Sequence, residues 1–149
     1  MSSVFFRGGK YDSSGADKLL AAVRRAGDIA LRILGYNIRN YAKGSIKHVS
    51  TPEPSPAGTP PYTHDKPSKN RKTSGQLPES IVYALEPSPQ AVIIGPSIAL
   101  FSNVGKPHEK SGGFRGRDYP QRPFMGPALA AEVGELPGLL ATQIERQFT

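Results

Sequence analysis

Six of the chain's fifteen prolines fall between residues 50 and 75, and they constrain the fold more than any other feature. Pro52, Pro54, Pro56, Pro60, Pro61 and Pro67 remove backbone donors and lock φ, so neither a helix nor a central strand persists through the segment. The stretch reads as an extended, polyproline-like arm ending in a basic tip, Lys66, Lys69, Arg71 and Lys72. The plain alternative is a disordered linker. An ordered arm of this length needs a neighbour to hold it.

Upstream, the spacing predicts a helix over residues 14–42. Leu19, Val23, Ala26, Ala30 and Ile33 follow one another at steps of four and three, the period of a buried helical stripe. Leu20, Ile29, Leu34, Ile38 and Tyr41 widen it. Arg24, Arg25, Asp28, Arg32 and Arg39 fall largely outside it, with Asp28 placed to pair with Arg32 one turn on. Ser13, Ser14 and Asp17 supply N-cap chemistry, and Gly35 marks a weak point or a close approach.

Downstream, residues 74–80 predict a short helical turn. Two β-type runs, 81–85 and 91–95, flank the turn-forming residues 86–90 and predict an antiparallel hairpin. Residues 97–104 form a third apolar piece, strand or short helix. Residues 105–122 read as a second long, basic loop carrying Lys106, Lys110, Arg115, Arg117 and Arg122. Beyond Pro123, Leu129, Val133, Leu136, Leu140, Ile144 and Phe148 define a C-terminal helical stripe. Pro137, close behind Gly134, kinks it or divides it into two short helices. The expected fold is therefore α+β in one domain over residues 1–149: a long N-terminal helix on a small antiparallel sheet, closed by C-terminal helices, with long extended loops.

The balance of 37% hydrophobic and 21% charged residues suits a globular chain with one modest core. No apolar run approaches the roughly 18 residues of a membrane span, and Val4, Phe5 and Phe6 do not make a signal-peptide core. A soluble protein outside the usual export route, with no membrane partner, is the expectation. The absence of cysteine excludes a disulfide scaffold and a thiol nucleophile. The formal net charge of +7 is uneven. Nine Lys/Arg in residues 1–49 face Asp12, Asp17 and Asp28, whereas the chain beyond Pro123 holds Glu132, Glu135 and Glu145 against Arg146. Such charge suits nucleic acid, an acidic protein surface, or solubility alone.

Chemistry-bearing patterns are missing. His48, His64 and His108 sit in expected loops without a second ligand at metal-site spacing. The carboxylates form no pair suggestive of a catalytic dyad, and no serine lies in a G-x-S-x-G elbow. The SGGFRGR stretch at 111–117 lacks the preceding strand and Lys-Ser/Thr of a phosphate loop, and it offers one arginine–glycine copy where such tracts repeat. It reads as a glycine hinge presenting Arg115 and Arg117. No catalytic residue, metal ligand or cofactor is expected, and the chain is expected not to be an enzyme.

Three segments, taken in order, resemble a known family. SPAGTPP at 55–61 resembles its Ser-Pro-Gly-x-Pro-Pro segment. TSGQLPESI at 73–81 is similar to its Thr-Gly-x-Leu-x-x-Ser-Ile lead into a hairpin, with Ser74 as an extra residue. YPQRPFMGPAL at 119–129 is similar to its Pro-x-Arg-Pro-Phe-Leu-x-Pro-Ala-Leu approach to a C-terminal helix. The family is the tail-component, or neck, proteins of tailed bacteriophages, the tail-completion and tail-terminator group. The chain departs from it at 103–106, where the aromatic-glutamate-x-Gly-Thr step is poorly matched.

The resemblance implies a structural virion protein made in the host cytoplasm. It implies a homo-oligomeric ring, expected to be a hexamer, that joins the head-closure ring to the tail tube. The implied partners are further copies of the chain, the head-closure or connector protein and the tail tube protein, with non-specific contact to DNA in the channel. Residues expected at interfaces are Pro60, Pro61 and Tyr62 in the arm, Lys66, Lys69, Arg71 and Lys72 at its tip, and Arg115, Arg117, Arg122 and Phe124 in and after the second loop. Phe124 has a second expected role, as a staple fixing the C-terminal helix to the core. The alternative function is a small basic nucleic-acid-binding module, which charge alone supports.

Overall fold

The computed structural model of the protein describes residues 14–50, 53–64, 77–88, 90–101, 105–114 and 117–149. Helix α1 spans Ser14–Ser45, about 48 Å of continuous helix. Its buried apolar side chains are Ala22, Ala26, Ala30, Leu34, Ile38 and Ala42, a four-residue row that Ile46 continues just past the helix end. Of the stripe expected from sequence, Ala26, Ala30, Leu34 and Ile38 are buried, whereas Leu19, Leu20, Val23, Ile29 and Tyr41 are exposed. The buried row follows the four-residue ridge of the helix, which is inclined to its axis, so residues on a stripe parallel to the axis fall outside it at either end.

After α1, strand β1 (His48–Val49) pairs in parallel with β2 (Thr63–His64), closing the base of the arm. The Thr63 amide donates to the Lys47 carbonyl at 2.8 Å. Helix α2 (Leu77–Ser80) follows, with the buried Ser80 hydroxyl donating to the Leu77 carbonyl. It leads into β3 (Ile81–Pro87) and β4 (Gln90–Pro96), the antiparallel hairpin expected from sequence. The register sets Ile81 against Pro96, Tyr83 against Ile94 and Leu85 against Val92. The third apolar piece is helical, α3 (Ile98–Phe101).

The segment expected as a second long loop is instead helix α4 (Gly105–Lys110) and a small antiparallel hairpin, β5 (Gly112–Phe114) with β6 (Arg117–Tyr119). Elements of three to six residues are too short for periodicity to announce them. The C-terminal stripe divides as Pro137 suggests. Helix α5 (Met125–Glu132) ends in a 3-10 turn, Val133–Glu135, and α6 (Leu136–Phe148) begins with Pro137 in its first turn, where the missing donor is harmless.

The core lies where the C-terminal half of α1 meets α2, β3 and the start of α5. Leu34, Ile38, Ala42 and Ile46 pack with Leu77, Ile81, Phe124 and Ala128. From there α6 runs back along α1, so that Arg25 Nε donates to Gln147 Oε1 at 3.4 Å. Gly35 is the close approach between α1 and the hairpin. The protein is thus α+β, a long helix on a two-stranded antiparallel sheet closed by C-terminal helices.

Candidate assembly surfaces

The arm is held by its own chain. Arg122 Nε donates to the Ser55 carbonyl at 2.8 Å, and the Gly58 amide donates to the Gln121 carbonyl at 2.8 Å. Gly58 adopts φ +79°, a conformation glycine takes without a Cβ clash. Pro60 and Tyr62 are half-buried and Pro61 is buried. Over residues 53–61, the neighbour that a proline-rich arm requires is therefore the segment around residues 121–122. The arm's basic tip, Lys66, Lys69, Arg71 and Lys72, lies outside the described residues, as does Arg115.

The same segment is tied to α4 by a carboxylate that sequence reading did not single out. Glu109 Oε1 accepts from the Phe124 amide at 2.8 Å and the Met125 amide at 2.7 Å, and Oε2 accepts from Gly126 at 3.2 Å. These are the free donors at the start of α5, a helix with no side-chain cap of its own. The charge also opposes the positive end of the helix dipole. Gln121 Nε2 donates to the Glu109 carbonyl, and the Arg122 amide to the His108 carbonyl, both at 2.7 Å. A capping residue fifteen positions upstream carries no local sequence signal, so only the fold reveals it.

His108 sits inside this clasp. Its Nδ1 is buried without a hydrogen-bond partner among the described residues. Burial pushes its pKa below 6.5, the Arg122 guanidinium adds to that, and Glu109 opposes it. The histidine belongs to α4 and its two counterparts lie on strands, where His48 pairs with Thr63 and His64 with Val49. The expectation that all three occupy loops is therefore corrected. Among the described residues no cluster of His, Cys, Asp or Glu could hold a metal ion.

Three of the expected interface residues are taken up within the chain, Pro61 by burial, Phe124 and Arg122 by the contacts they make. Phe124 is wholly buried among Ile38, Ile81 and their neighbours, so it acts as the staple and offers no surface to another molecule. Arg122 is spent on Ser55. Arg117 lies on β6, in register with Phe114.

Surface of a different kind emerges elsewhere. The hairpin's inner residues face α1, leaving Val82, Ala84 and Ile93 exposed on its outer face, and α3 adds Ile98 and Leu100. Ile93 is 58% exposed and Ile98 is 69% exposed. The hairpin has two strands only, so each carries an unpaired edge among the described residues.

Among the described residues, Lys18, Arg25, Arg32 and Arg39 recur every seven residues along one side of α1, but part of that charge is engaged within the chain. Arg39 donates to the Ile81 carbonyl at 2.8 Å and Arg25 to Gln147. Lys43 pairs with Glu79 at 3.1 Å. Asp28 accepts from Gln90 Nε2 at 2.7 Å instead of pairing with Arg32. A cleft beside the hairpin turn is lined by Arg24, Asp28, Pro87, Ser88 and Gln90, with no histidine to activate the serine. No described helix is long and apolar enough to cross a membrane.

No protein-family model matches the chain, and neither a curated protein nor a solved structure matches it significantly.

Proposed function

We propose that the chain is a non-catalytic structural subunit of a tailed-bacteriophage neck. It assembles with copies of itself into a ring, six-membered as the sequence resemblance implies, between the head-closure ring and the tail tube. One observation supports this above the others: the outer face of the β3–β4 hairpin and the adjoining α3 present Val82, Ile93, Ile98 and Leu100 to solvent, beside unpaired strand edges. Exposed large apolar side chains of this kind suit burial against another protein subunit. A ring requires head-to-tail contacts that close on themselves.

The basic-module reading has less to stand on. Three of the cations along α1, Arg25, Arg39 and Lys43, are already bonded within the chain, and among the described residues the exposed aromatics of that helix are two, Tyr36 and Tyr41, too few for a stacking strip. The deciding experiment is mass by light scattering, with negative-stain imaging of the purified protein. Closed rings of uniform size are expected. A monomer at every concentration that grips DNA with a steep salt dependence would replace the neck reading with the nucleic-acid one.

A further inference from the structure

Helix α1 outruns its own domain. The end of α6 reaches the level of Arg25, and residues 15–21 are exposed on every side of the helix. About seven residues, some 10 Å of helix, therefore project past the body. This end is not polar, as a solvated helix end would be. Leu19 and Leu20 are each 51% exposed, and Val23 is exposed beside them. The charges around them are mainly positive, Lys18, Arg24 and Arg25 against Asp17.

The junction of α5 and α6 carries the opposite pattern. Leu129 is 49% and Val133 47% exposed, one helical turn apart. They are bordered by Glu132 and Glu135, which have no ion-pair partner among the described residues. Both patches combine apolar centres with charged borders, and the borders have opposite sign.

We infer that the projecting N-terminal end of α1 docks on the α5–α6 junction of a second copy of the chain. This rests on the ring reading and names one of its contacts. Charge selects the pairing. Two α1 ends brought together would set Lys18 and Arg24 against their own copies, and two junctions would oppose Glu132 and Glu135, whereas the mixed contact satisfies both. Geometry allows every subunit to use both patches at once. The junction packs near Ile38, eighteen residues along α1 from Leu20, or about 27 Å. A contact made by one end and received at the other is head-to-tail, the type that builds rings.

The chain has no cysteine, so the contact can be read by introduced thiols. The L20C/V133C double variant, oxidised under native conditions, is expected to give a ladder of covalent oligomers ending at the size of the ring. L20C and V133C alone are expected to stay monomeric in denaturing gels. E132K/E135K is expected to weaken assembly about tenfold or more, and adding K18E/R24E to the same chain to restore it. Dimers from L20C alone would overturn the pairing in favour of a symmetric contact. If the wild type forms rings but the ladder is absent and E132K/E135K assembles normally, this contact is wrong and the ring reading survives. If the wild type stays monomeric at all concentrations, the ring reading falls and takes the contact with it.

Discussion

Gly35 faces Val92 so closely that a Cβ at residue 35 would stand 2.7 Å from the valine Cγ2 and 3.0 Å from the Tyr83 ring. Glycine inside a helix normally costs about 1 kcal/mol relative to alanine. Here that cost is offset by the approach it allows between α1 and the hairpin. G35V is therefore expected to destabilise the protein by about 1–3 kcal/mol through overpacking. G35A is expected to be better tolerated in a V92A background than in the wild type, because the valine contact is removed and only the 3.0 Å approach to the Tyr83 ring remains to be relaxed. Chemical denaturation of the four variants measures this, and equal effects of G35A in both backgrounds would show that Val92 is not the obstacle.

Glu109 supplies the cap that α5 lacks. E109A is expected to cost about 1–2 kcal/mol, since three backbone donors lose a charged acceptor. E109Q keeps one carbonyl oxygen and should lose less. The distinguishing readout is amide hydrogen exchange at residues 124–126, which should speed up in E109A while the amides of α1 keep their protection.

His108 gives the clasp a pH dependence with a definite sign. Its folded pKa lies below the ordinary 6.5, so the unfolded chain binds a proton more readily. That contribution to stability is fully present above about pH 6.5 and is lost as pH falls below it, through the folded value. H108Q should flatten this part of the stability–pH curve. The groups that face His108 are Arg122 and Glu109, and R122Q should raise the histidine pKa toward its ordinary value, which histidine proton NMR would detect.

Ile93 separates folding from assembly. It points away from α1, so I93D is expected to change monomer stability by no more than about 0.5 kcal/mol. The same substitution should abolish rings in light scattering if the hairpin face is a subunit contact. Intact rings of I93D would leave the hairpin face outside the assembly.

How much of this was legible before the fold was known depends on the distance over which each signal acts. The long helix, the hairpin and the division at Pro137 are written in local periodicity and breakers, and they stand within a few residues of where the sequence places them. The identity of the buried face of α1 is not local. Ala26 and Ala30 were read into the stripe and are buried, but Ala22 and Ala42 are buried as well, while larger Leu19, Leu20 and Val23 are left outside. Size and hydrophobicity alone favour the leucines and the valine over those two alanines. The clasp was less legible still: Glu109, Gln121, Arg122 and Ser55 are scattered over 67 positions and meet only in the folded chain. Phe124 was the informative exception, since an apolar ring just before a helix reads naturally as a staple.

The buried row on α1 has a mechanical consequence. Steps of four residues advance about 40° each around a helix, so the five steps from Ala22 to Ala42 sweep roughly 200°. The rod is consequently gripped from different sides along its length, by α6 toward one end and by α2, β3 and α5 toward the other. A stripe on one side would let a sideways push peel the helix from its bed. A grip that winds around it resists bending and axial rotation together, so a tug on the N-terminal end of α1 is carried as torque to the core.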